Sequence, residues 1–469
     1  MNHPDATLLA RCAERRARLA TQMARAGGGV AIVPTAPEVM RNRDSDYPYR
    51  HDSYFYYLTG FSEPQSVLIL VVEPDGDSRS TLFCRAKDPE REIWDGVRFG
   101  PDAAREAFGF DAARPVTQLD AELPPILADR TGVWWPFAVH TGFETRVEQW
   151  LAAVRSQSRA GHRTPAAQYD LCALLDEMRL FKDDFELSVI RRAASISAAG
   201  HRRAMQTSAR GCRQPPPEGL REYHLEAELL HAFRAGGAQS PAYGSIVAAG
   251  ANACILHYRA DSAPVNPGQL VLIDAACELD GYASDITRTF PAGGHFDGPQ
   301  RTLYAIVLEA QEAALAASCA GNRFHDPHDA ALRVLAQGLL DTGLVARDTA
   351  PDVDAVIATG AYRRFYMHRT SHWMGMDVHD CGEYTEPGEP PQTLADGTTR
   401  PAPRILRPGM VMTIEPGLYI RAAADVPTAF HDIGIRIEDD VLIRDGGCEV
   451  LTAMAPKSIA EIEDWMQAG

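Results

Sequence analysis

Hydrophobic residues in the first third of the chain fall into short runs bounded by turn residues, a pattern typical of buried strands. A longer stretch, Pro4–Ala26, has the spacing of an amphipathic helix instead. The segments that we expect to pack as short apolar strands are Val30–Val33, Tyr54–Leu58, Val67–Val72, Leu82–Cys84 and Val133–Trp135. A helix combined with strands of this length predicts a small α/β domain.

The hydrophobic pattern changes to long helices near residue 170. Apolar residues recur at helical spacing from Leu171 to Met178, and Glu186–Met205 continues the pattern. A change of this kind marks a domain boundary, which we place at residue 176. The predicted domains are therefore 1–176 and 177–469.

The second domain is predicted to contain strands and helices in runs, without strict alternation, which favours an α+β fold. Its predicted strands are Ser245–Ala249, Leu270–Ala275, Tyr282–Phe290, Val411–Ile414 and Ile433–Ile443. Its predicted helices are Thr302–Ala320 and Asp329–Thr342. A polar stretch rich in proline and glycine, Gly382–Arg404, predicts a loop or an insertion.

Composition and charge narrow the class of protein. The 469 residues are 45% hydrophobic and 23% charged, as expected for globular domains. No run of about 18 apolar residues is present, so we expect no membrane-spanning helix. The N-terminal arginines lack the apolar stretch of a secretory signal. The net charge of −17 argues against nucleic acid as a partner, because a phosphate backbone requires a basic surface.

The cysteines indicate a reducing environment. There are nine of them, an odd number, and they are scattered without any C-x-x-C motif. This pattern predicts reduced thiols in the cytoplasm rather than a disulfide framework or a thiolate zinc site.

Candidate chemistry begins in the segment Gln269–Pro291, which is predicted to form a β-hairpin around the dipeptide Asp280–Gly281. A four-residue loop would place Asp274 opposite Asp285, whereas a bulge would shift this register. Two like charges side by side in an apolar hairpin destabilise it unless they are compensated. A divalent cation between the carboxylates would compensate them, and an ion pair with an arginine such as Arg288 is the alternative.

Two more acidic residues lie on apolar strands. Glu415 ends the strand in VMTIEPGLY, and Glu438 follows Arg436 on one face of the alternating segment IGIRIED. Taken singly, each glutamate would be a surface residue at a strand end. Four acidic residues on three strands that resemble core strands indicate a shared site instead.

Histidines supply the remaining candidate ligands. His368, His372 and His379 fall within twelve residues in YMHRTSHWMGMDVHD, and His257 in CILHY is a weaker candidate. A lone histidine in an apolar segment is more often a hydrogen-bonded core residue than a ligand. Three of them together favour a functional site.

Carboxylates with one imidazole form a hard, oxygen-rich donor set, which suits Mn²⁺, Co²⁺, Mg²⁺ or Zn²⁺. The set is too large for one catalytic zinc, which usually has about three protein ligands. Two ions about 3.5–4 Å apart, bridged by carboxylates, fit it well. The sequence has no H-E-x-x-H, G-x-S-x-G or P-loop motif that would indicate another chemistry.

The order Asp, Asp, His, Glu, Glu resembles that of the pita-bread metallopeptidases, a superfamily that includes methionine aminopeptidase, prolidase and aminopeptidase P. The motifs DITRTFP, SHWMGMDVHD, TIEPGLY and GIRIEDD look most like those of the aminopeptidase P (Xaa-Pro aminopeptidase) family. The segments YFYYLTGFSEP and LFCRAKDPEREIWDG resemble its N-terminal domain. The resemblance covers nearly the whole chain and implies a smaller N-terminal α/β domain followed by a catalytic pita-bread domain.

The resemblance also implies two divalent metal ions, most often Mn²⁺, with Co²⁺ or Zn²⁺ as alternatives. It assigns the ligands residue by residue. Asp274 would bind one ion, His372 and Glu415 would bind the other, and Asp285 and Glu438 would bridge both.

The implied reaction is hydrolysis of the peptide bond between an N-terminal residue and a following proline, by a hydroxide formed from water at the metal pair. His379 would stabilise the developing oxyanion, and Glu415 would pass a proton to the proline nitrogen. His257 and His368 would hold the proline and its carbonyl. Arg436 would orient the carboxylates from behind.

Two departures from the family pattern leave a second activity open. Arg369 stands where many relatives have a small residue, and it would narrow the entry, bind a substrate carbonyl, or simply lie on the surface. The loop Gly382–Arg404 is longer than expected, and in prolidases a loop here supplies an arginine for the dipeptide carboxylate. Arg400 lies about one residue from that position. The alternative is therefore a prolidase (Xaa-Pro dipeptidase), with organophosphate hydrolysis as a side activity.

A catalytically inactive binding module is a third hypothesis. Such relatives typically lose metal ligands, whereas all five are present here. Members of the family form dimers or tetramers in which N-terminal domains close over neighbouring sites. We therefore expect a homo-oligomer that acts on peptides with proline at the second position.

Overall fold

The architecture comes from a computed structural model, which describes residues 5–259, 261–393 and 398–468. Helices and short sheets occupy most of these ranges. No helix within them is both long and apolar enough to span a bilayer.

The chain divides between Met178 and Arg179 into an N-terminal unit and a C-terminal unit. One helix, Cys172–Leu180, runs across this division. The domain limits 1–176 and 177–469 therefore stay a prediction.

The N-terminal unit begins with a long helix and continues with strands and short helices. In chain order its elements are α1 (Ala6–Arg25), β1 (Gly29–Pro34), β2 (Met40–Asn42), β3 (Ser45–Asp46), α2 (Ser53–Thr59), β4 (Val67–Val72), β5 (Ser78–Cys84), α3 (Pro89–Asp95), α4 (Gly100–Phe108), β6 (Ala112–Pro115), α5 (Leu119–Leu127), β7 (Gly132–Trp135), α6 (Phe143–Ser156) and β8 (Ala167–Asp170). Helix α7 (Cys172–Leu180) follows.

A mixed sheet with the strand order β6-β5-β4-β1-β7-β8 organises the N-terminal unit. Strand β1 lies in its interior, antiparallel to β4 and parallel to β7, and every residue of β1 is buried. A strand that is buried on both faces has no polar face, which explains the continuous apolar run in the sequence. The prediction of an N-terminal α/β domain is confirmed.

The expectation of a strand over Tyr54–Leu58 is wrong, because this segment lies in α2. Asp52 caps the helix by accepting a hydrogen bond from the backbone N–H of Phe55, and Gly60 ends it in the left-handed conformation, with φ 65°. These two end signals decide the structure of an apolar run whose composition alone also fits a strand.

The C-terminal unit starts with two helices and then becomes rich in strands. In chain order its elements are α8 (Asp184–Arg213), α9 (Glu222–Ala235), β9 (Ser240–Pro241), β10 (Ile246–Ala249), β11 (Leu270–Asp274), β12 (Cys277–Leu279), β13 (Tyr282–Ala283), β14 (Thr287–Pro291), α10 (Gly298–Ala317), α11 (Asp326–Asp341), α12 (Val353–Thr359), β15 (Gln392–Thr393), β16 (Thr399–Arg400), β17 (Val411–Ile414), β18 (Gly417–Ile420), β19 (Ile433–Arg436), β20 (Asp439–Arg444), β21 (Gly447–Val450) and α13 (Ile459–Gln467).

Small antiparallel sheets carry the site in this unit. They have the orders β10-β11-β14, β17-β20-β21 and β18-β19. The hydroxyl of Thr289 in β14 donates to the carbonyl of Arg436 in β19 and accepts from its backbone N–H, which joins two of these sheets. The unit mixes helices and antiparallel strands in runs, so the α+β prediction is confirmed.

The predicted four-residue hairpin loop is wrong. Strands β12 and β13 pair Leu279 with Tyr282, so the loop contains only Asp280 and Gly281, with φ of 50° and 81°. Two central residues with positive φ form a type I′ turn, which matches the right-handed twist of the flanking strands.

The tighter turn shifts the pairing by two residues, so that Asp274 lies opposite Thr287 instead of Asp285. A shift by an even number keeps each side chain on the same face of the ladder. In a continuous ladder Asp285 would be a diagonal neighbour of Asp274 on one face. Regular pairing is interrupted between Ala283 and Thr287, where Asp285 lies.

The predicted strand Ile433–Ile443 is also interrupted. Strand β19 ends at Arg436 and β20 begins at Asp439, so Glu438 lies at the break. Its backbone N–H donates to the carbonyl of Thr287 over 3.0 Å. The break brings Glu438 to the hairpin that carries the two aspartates.

Strand β19 packs so closely on the segment after β10 that Gly434 has no space for a side chain. A Cβ atom at Gly434 would lie 2.3 Å from the carbonyl oxygen of Ala253. We expect Gly434→Ala to lower the free energy of unfolding by about 1–3 kcal/mol, because the obstacle is backbone. Urea denaturation measures this. Gly293→Ala is the matched control, since no atom lies within 4 Å of its Cβ position. Equal stability of the two variants would contradict the close packing.

Candidate metal centre

Acidic and histidine side chains from separate parts of the C-terminal unit converge on one cleft. Its volume is about 530 Å³. All five residues predicted as metal ligands line it: Asp274, Asp285, His372, Glu415 and Glu438. Two of them come from the β11–β14 hairpin, and the others come from the segment before β17, the end of β17 and the break after β19.

Asp285, His372 and Glu438 form the tightest part of the site. One ligand atom from each lies within 4.8 Å of the other two. Nε2 of His372 is 3.5 Å from Oδ2 of Asp285 and 3.7 Å from Oε1 of Glu415. Asp274 and Glu415 lie outside the tightest group but line the same cleft.

His372 is held with one nitrogen available to the carboxylates. Its Nδ1–H donates to the carbonyl of Trp373 over 2.9 Å. Nε2 therefore faces Asp285 and Glu415: without a metal ion the protonated ring carries a hydrogen there, and loss of that proton leaves an Nε2 lone pair for a metal ion. This is the form in which histidine binds a metal ion.

The electrostatics of the cleft show uncompensated negative charge. Burial raises the pKa of Asp285, and burial together with the charge of Asp285 raises the pKa of Glu438 well above its usual range. Burial raises the pKa of Glu415 to about 7, against the opposing charges of His372 and Arg436. Burial alone would lower the pKa of His372, but its hydrogen bond with Asp285 and the charge of Glu415 raise that pKa to about 9.

These residues fit divalent cations. Oδ1 of Asp274 is buried and has no hydrogen-bond partner among the described residues. Buried carboxylates are costly unless positive charge compensates them, and an oxygen-rich donor set suits hard cations.

One carboxylate of the cleft does form an ion pair with an arginine, which the sequence analysis gave as the alternative to a divalent cation. Oδ2 of Asp274 accepts from Nη2 of Arg436 over 2.6 Å, whereas Arg288 pairs with Asp439. One arginine is not enough to compensate the four acidic groups of the cleft.

Arg436 connects two of the predicted ligands, Asp274 directly and Glu438 through Thr287. Besides Asp274, its guanidinium donates to the hydroxyl of Tyr419 over 2.9 Å and to Oγ1 of Thr287 over 3.1 Å. Oγ1 of Thr287 in turn donates to Oε2 of Glu438 over 2.6 Å. The side-chain orientations of Asp274 and Glu438 are therefore fixed by one network.

Sequence reasoning missed three residues of this network: Tyr243, Thr287 and Tyr419. Thr287 and Tyr419 stand two and four residues after predicted ligands in the quoted motifs, so strand periodicity could have identified them. The hydroxyl of Tyr243 donates to Oδ1 of Asp285 over 2.6 Å. No local pattern points to Tyr243, because the two residues are 42 positions apart.

Both ring nitrogens of His368 are occupied. Nδ1–H donates to the carbonyl of Arg369 over 2.7 Å, and Nε2 accepts from the hydroxyl of Tyr419 over 2.8 Å. Burial and the charge of Arg436 lower the pKa of His368 to about 4. His368 therefore presents a neutral ring to the cleft.

His257 and His379 line the cleft and make no hydrogen bond to any residue that the structure describes. The rings of His379 and His372 lie 4.1 Å apart. Burial and the charge of His372 lower the pKa of His379, so this ring stays neutral with one N–H to donate.

A buried glutamate holds the segment that carries His257. Glu222, in the first turn of α9, has no exposed surface. Its two oxygens accept four hydrogen bonds, from the backbone N–H groups of Ala249 and Ala263, the amide of Asn252 and the hydroxyl of Tyr258. These donors flank His257 on both sides, so Glu222 fixes the loop.

A buried ion cluster holds the segment that carries His379. Asp380 accepts from Arg179 over 2.6 Å and from Lys182 over 2.9 Å, and the three side chains are each only 1% exposed. A Cβ atom at Gly375 would lie 2.3 Å from Oδ2 of Asp380. Glycine at this position therefore permits the ion cluster beside His379.

The two departures from the family pattern lie in different places. Arg369 is exposed and lines the cleft next to His368. Arg400 lies in β16, which pairs with β15 within the predicted loop Gly382–Arg404. Residues 394–397 of that loop lie outside the described residues.

Comparison with known proteins places the chain in a family. The model of "Metallopeptidase family M24" matches residues 188–445, and that of "Aminopeptidase P, N-terminal domain" matches residues 12–134. The Xaa-Pro aminopeptidase of Escherichia coli is 43% identical over 454 residues, which cover 97% of each chain. The structure of Pseudomonas aeruginosa aminopeptidase PepP matches with a TM-score of 0.90 and 46% identity over 98% of each chain. Zn-substituted E. coli aminopeptidase P in complex with product matches with a TM-score of 0.90 and 42% identity over 98% of each chain. The chain therefore belongs to metallopeptidase family M24 and carries an N-terminal domain of the aminopeptidase P type.

Proposed function

We propose that this chain is a Xaa-Pro aminopeptidase, which hydrolyses the peptide bond between an N-terminal residue and a following proline. The observation that carries the proposal is the convergence of Asp285, His372 and Glu438 within 4.8 Å, in a cleft that Asp274 and Glu415 also line. The identity to a Xaa-Pro aminopeptidase over nearly the whole of both chains supports the substrate class.

Membership of a metallopeptidase family implies divalent metal ions, and we infer two ions per chain. We propose Mn²⁺ in the cell, with Co²⁺ or Zn²⁺ as substitutes; a Zn-substituted relative supports exchange of the metal. Asp274 would bind one ion, His372 and Glu415 the other, and Asp285 and Glu438 both. When bound, such ions supply a water that ionises near neutral pH and polarise the scissile carbonyl.

The histidines of the cleft would hold the peptide. His379 keeps one N–H for the scissile carbonyl oxygen, where negative charge develops. His257 has no partner among the described residues and would donate to the carbonyl of the proline. His368, whose nitrogens are already occupied, would pack its ring against the proline ring.

Glu415 would carry the proton. The nitrogen of an Xaa-Pro bond belongs to a tertiary amide and has no hydrogen, so it must gain a proton before it can leave. Glu415 ends β17 inside the cleft, 3.7 Å from His372, and its carboxylate can take a proton and deliver it. Arg436 would keep Asp274 and Glu438 oriented throughout.

The first test is an assay with Mn²⁺ on the tripeptide Ala-Pro-Ala. We expect release of free alanine and Pro-Ala, measured by chromatography. Glu415→Gln removes the proton carrier, which is also a proposed metal ligand, without changing the size of the side chain, so kcat should fall by about 10²–10⁴-fold.

A parallel assay on the dipeptide Ala-Pro distinguishes a Xaa-Pro aminopeptidase from a prolidase. A strict preference for the dipeptide would favour a prolidase and contradict the proposal. The control variant is Glu449→Gln, which should keep full activity because this glutamate pairs with Arg191 and Arg444 and does not line the cleft.

A second test removes the metal. Ligands that bind only the folded state stabilise it, by about 2.7 kcal/mol for each site at a hundredfold excess over Kd. Treatment with a chelator should therefore lower the free energy of unfolding and abolish activity, and Mn²⁺ should restore both. Inductively coupled plasma mass spectrometry of the repurified protein should find two Mn²⁺ ions per chain.

Glu438→Gln sharpens the metal test. The variant should lose the stabilisation by metal but be at least as stable as the wild type in chelator, because it removes one carboxylate from a repulsive cluster. A wild-type protein that retains no divalent ion and melts at the same temperature with and without chelator would contradict the metal site.

We also propose a homo-oligomer, a dimer or a tetramer, in the cytoplasm. The N-terminal unit exposes a group of large apolar side chains at and after α3: Ile93, Trp94 and Val97 are 80%, 84% and 60% exposed. A group of this kind supports a protein–protein interface. All nine cysteines are free, which supports a reducing compartment.

Light scattering tests the assembly. The wild type should have two or four times the chain mass of 51.2 kDa, and Trp94→Glu should shift the population towards the single chain. Met454→Glu, at another exposed apolar residue, is the matched control and should not change the mass. A wild-type mass of 51.2 kDa at micromolar concentration would refute the oligomer.

A further inference from the structure

A second cavity adjoins the metal cleft. Its volume is about 330 Å³, and it shares two lining residues, His368 and Arg369, with the cleft. Tyr362 and Arg363 also line it. A peptide bound in the cleft can therefore continue past His368 into this second cavity.

The second cavity is cationic. Arg363 and Arg369 both line it, and none of its lining residues is acidic. Within residues 5–259, 261–393 and 398–468, no carboxylate lies within ion-pair distance of either guanidinium. The neighbouring Arg364, in contrast, is paired with Asp425.

The groups around Arg369 confirm the positive field. Burial and then the charge of Arg369 lower the pKa of His328 to about 4, and burial with the charges of Arg400 and Arg369 lowers the pKa of His325. Asp329 is the acidic residue that these arginines influence, but it lies beyond ion-pair distance from them. The field is therefore available to a ligand.

Electrostatics decides which end of a peptide this cavity receives. A peptide substrate has an ammonium group at its N-terminus and a carboxylate at its C-terminus. A cationic cavity repels the first and attracts the second, so the part of the substrate after the proline runs towards Arg369. His368 would pack against the proline ring, so the residue after the proline is the first that can pass it into the second cavity.

We propose that the cavity at Arg369 is a subsite for a carboxylate carried by the residue that follows the proline. This inference rests on the proposed function and adds the substrate class: tripeptides Xaa-Pro-Xaa with a free C-terminus, or longer peptides with an acidic residue at the third position. Arginine suits this role because its planar guanidinium binds a carboxylate through two parallel hydrogen bonds. Arg369 is a specificity residue and takes no part in bond cleavage.

Two substrate pairs test the subsite and distinguish the two sources of the carboxylate. The first pair is Ala-Pro-Ala with a free C-terminus and the same tripeptide as its C-terminal amide. The second pair is Ala-Pro-Asp-Ala-amide and Ala-Pro-Asn-Ala-amide. We expect the wild type to prefer the carboxylate by about tenfold in kcat/KM in at least one pair, a typical effect of a hydrogen bond to a charged group.

Variants assign this preference to the arginine. In Arg369→Gln the carboxylate-to-amide ratio should fall to about one, and the loss should lie in KM. Arg369→Lys should retain part of the preference, because it keeps the charge without the planar fork. Arg364→Gln is the matched control and should keep the full preference. Arg364 is also exposed, but it is paired with Asp425.

Binding provides a readout apart from turnover. By calorimetry, the product Pro-Ala should bind the wild type about tenfold more tightly than Pro-Ala-amide if the carboxylate is a free C-terminus, and Pro-Asp-Ala-amide should bind about tenfold more tightly than Pro-Asn-Ala-amide if it is a side chain; Arg369→Gln should remove either difference. The preference should also weaken as the salt concentration rises, because the subsite is partly exposed.

The outcomes separate this inference from the proposed function. Preference in the first pair assigns the subsite to a free C-terminus, and preference in the second pair assigns it to an acidic side chain. Equal cleavage within both pairs would overturn the subsite and leave the aminopeptidase intact. Cleavage of none of the four peptides by the Mn²⁺-loaded enzyme would refute both.

Discussion

Crowding of like charges in a buried cleft is the constraint on which the C-terminal unit depends. Buried carboxylates repel one another and lose the hydration that stabilised them in the unfolded chain. Arg436 compensates Asp274, but burial and mutual repulsion still raise the pKa values of Asp285, Glu415 and Glu438. Without cations, the cluster must hold protons. Divalent ions would replace these protons, so metal binding and folding of this unit are linked.

The sheets that create the crowding also keep the ligands in place. Asp274 ends a paired strand, and Glu438 lies where a strand breaks and donates its backbone N–H across to Thr287. The chain of hydrogen bonds from Arg436 through Thr287 to Glu438 leaves these side chains little freedom. A site of this kind is preorganised, because orientation is fixed before a ligand arrives and costs no further reorganisation on binding.

The sequence predicted much of this because strand periodicity determines the face of a sheet even when register is uncertain. The loop length in the hairpin was wrong by an even number of residues, an error that leaves the face of each side chain unchanged, and Asp274 and Asp285 do line the same cleft. The order of the motifs, together with the alternation of side chains along the strands, also predicted that Glu415 and Glu438 lie at the same site. Contacts between distant segments have no such signal: Tyr243 reaches Asp285 only through tertiary folding. The short helix α2 shows the same limit on a local scale, because its end signals outweighed its composition.

The histidines that line the cleft differ from its carboxylates, because they lie on irregular segments without a ladder to hold them. Two buried carboxylates hold two of these segments. Glu222 accepts four hydrogen bonds around the His257 segment, and Asp380 is held by Arg179 and Lys182 next to His379. A carboxylate has about four acceptor positions, so Glu222 has none left for a metal ion. Acidic residues therefore occur in this chain in two distinct settings: crowded in the cleft, where we propose that they bind metal ions, and buried as anchors whose oxygens are satisfied by hydrogen bonds. Part of the net charge of −17 is in this way internal and structural.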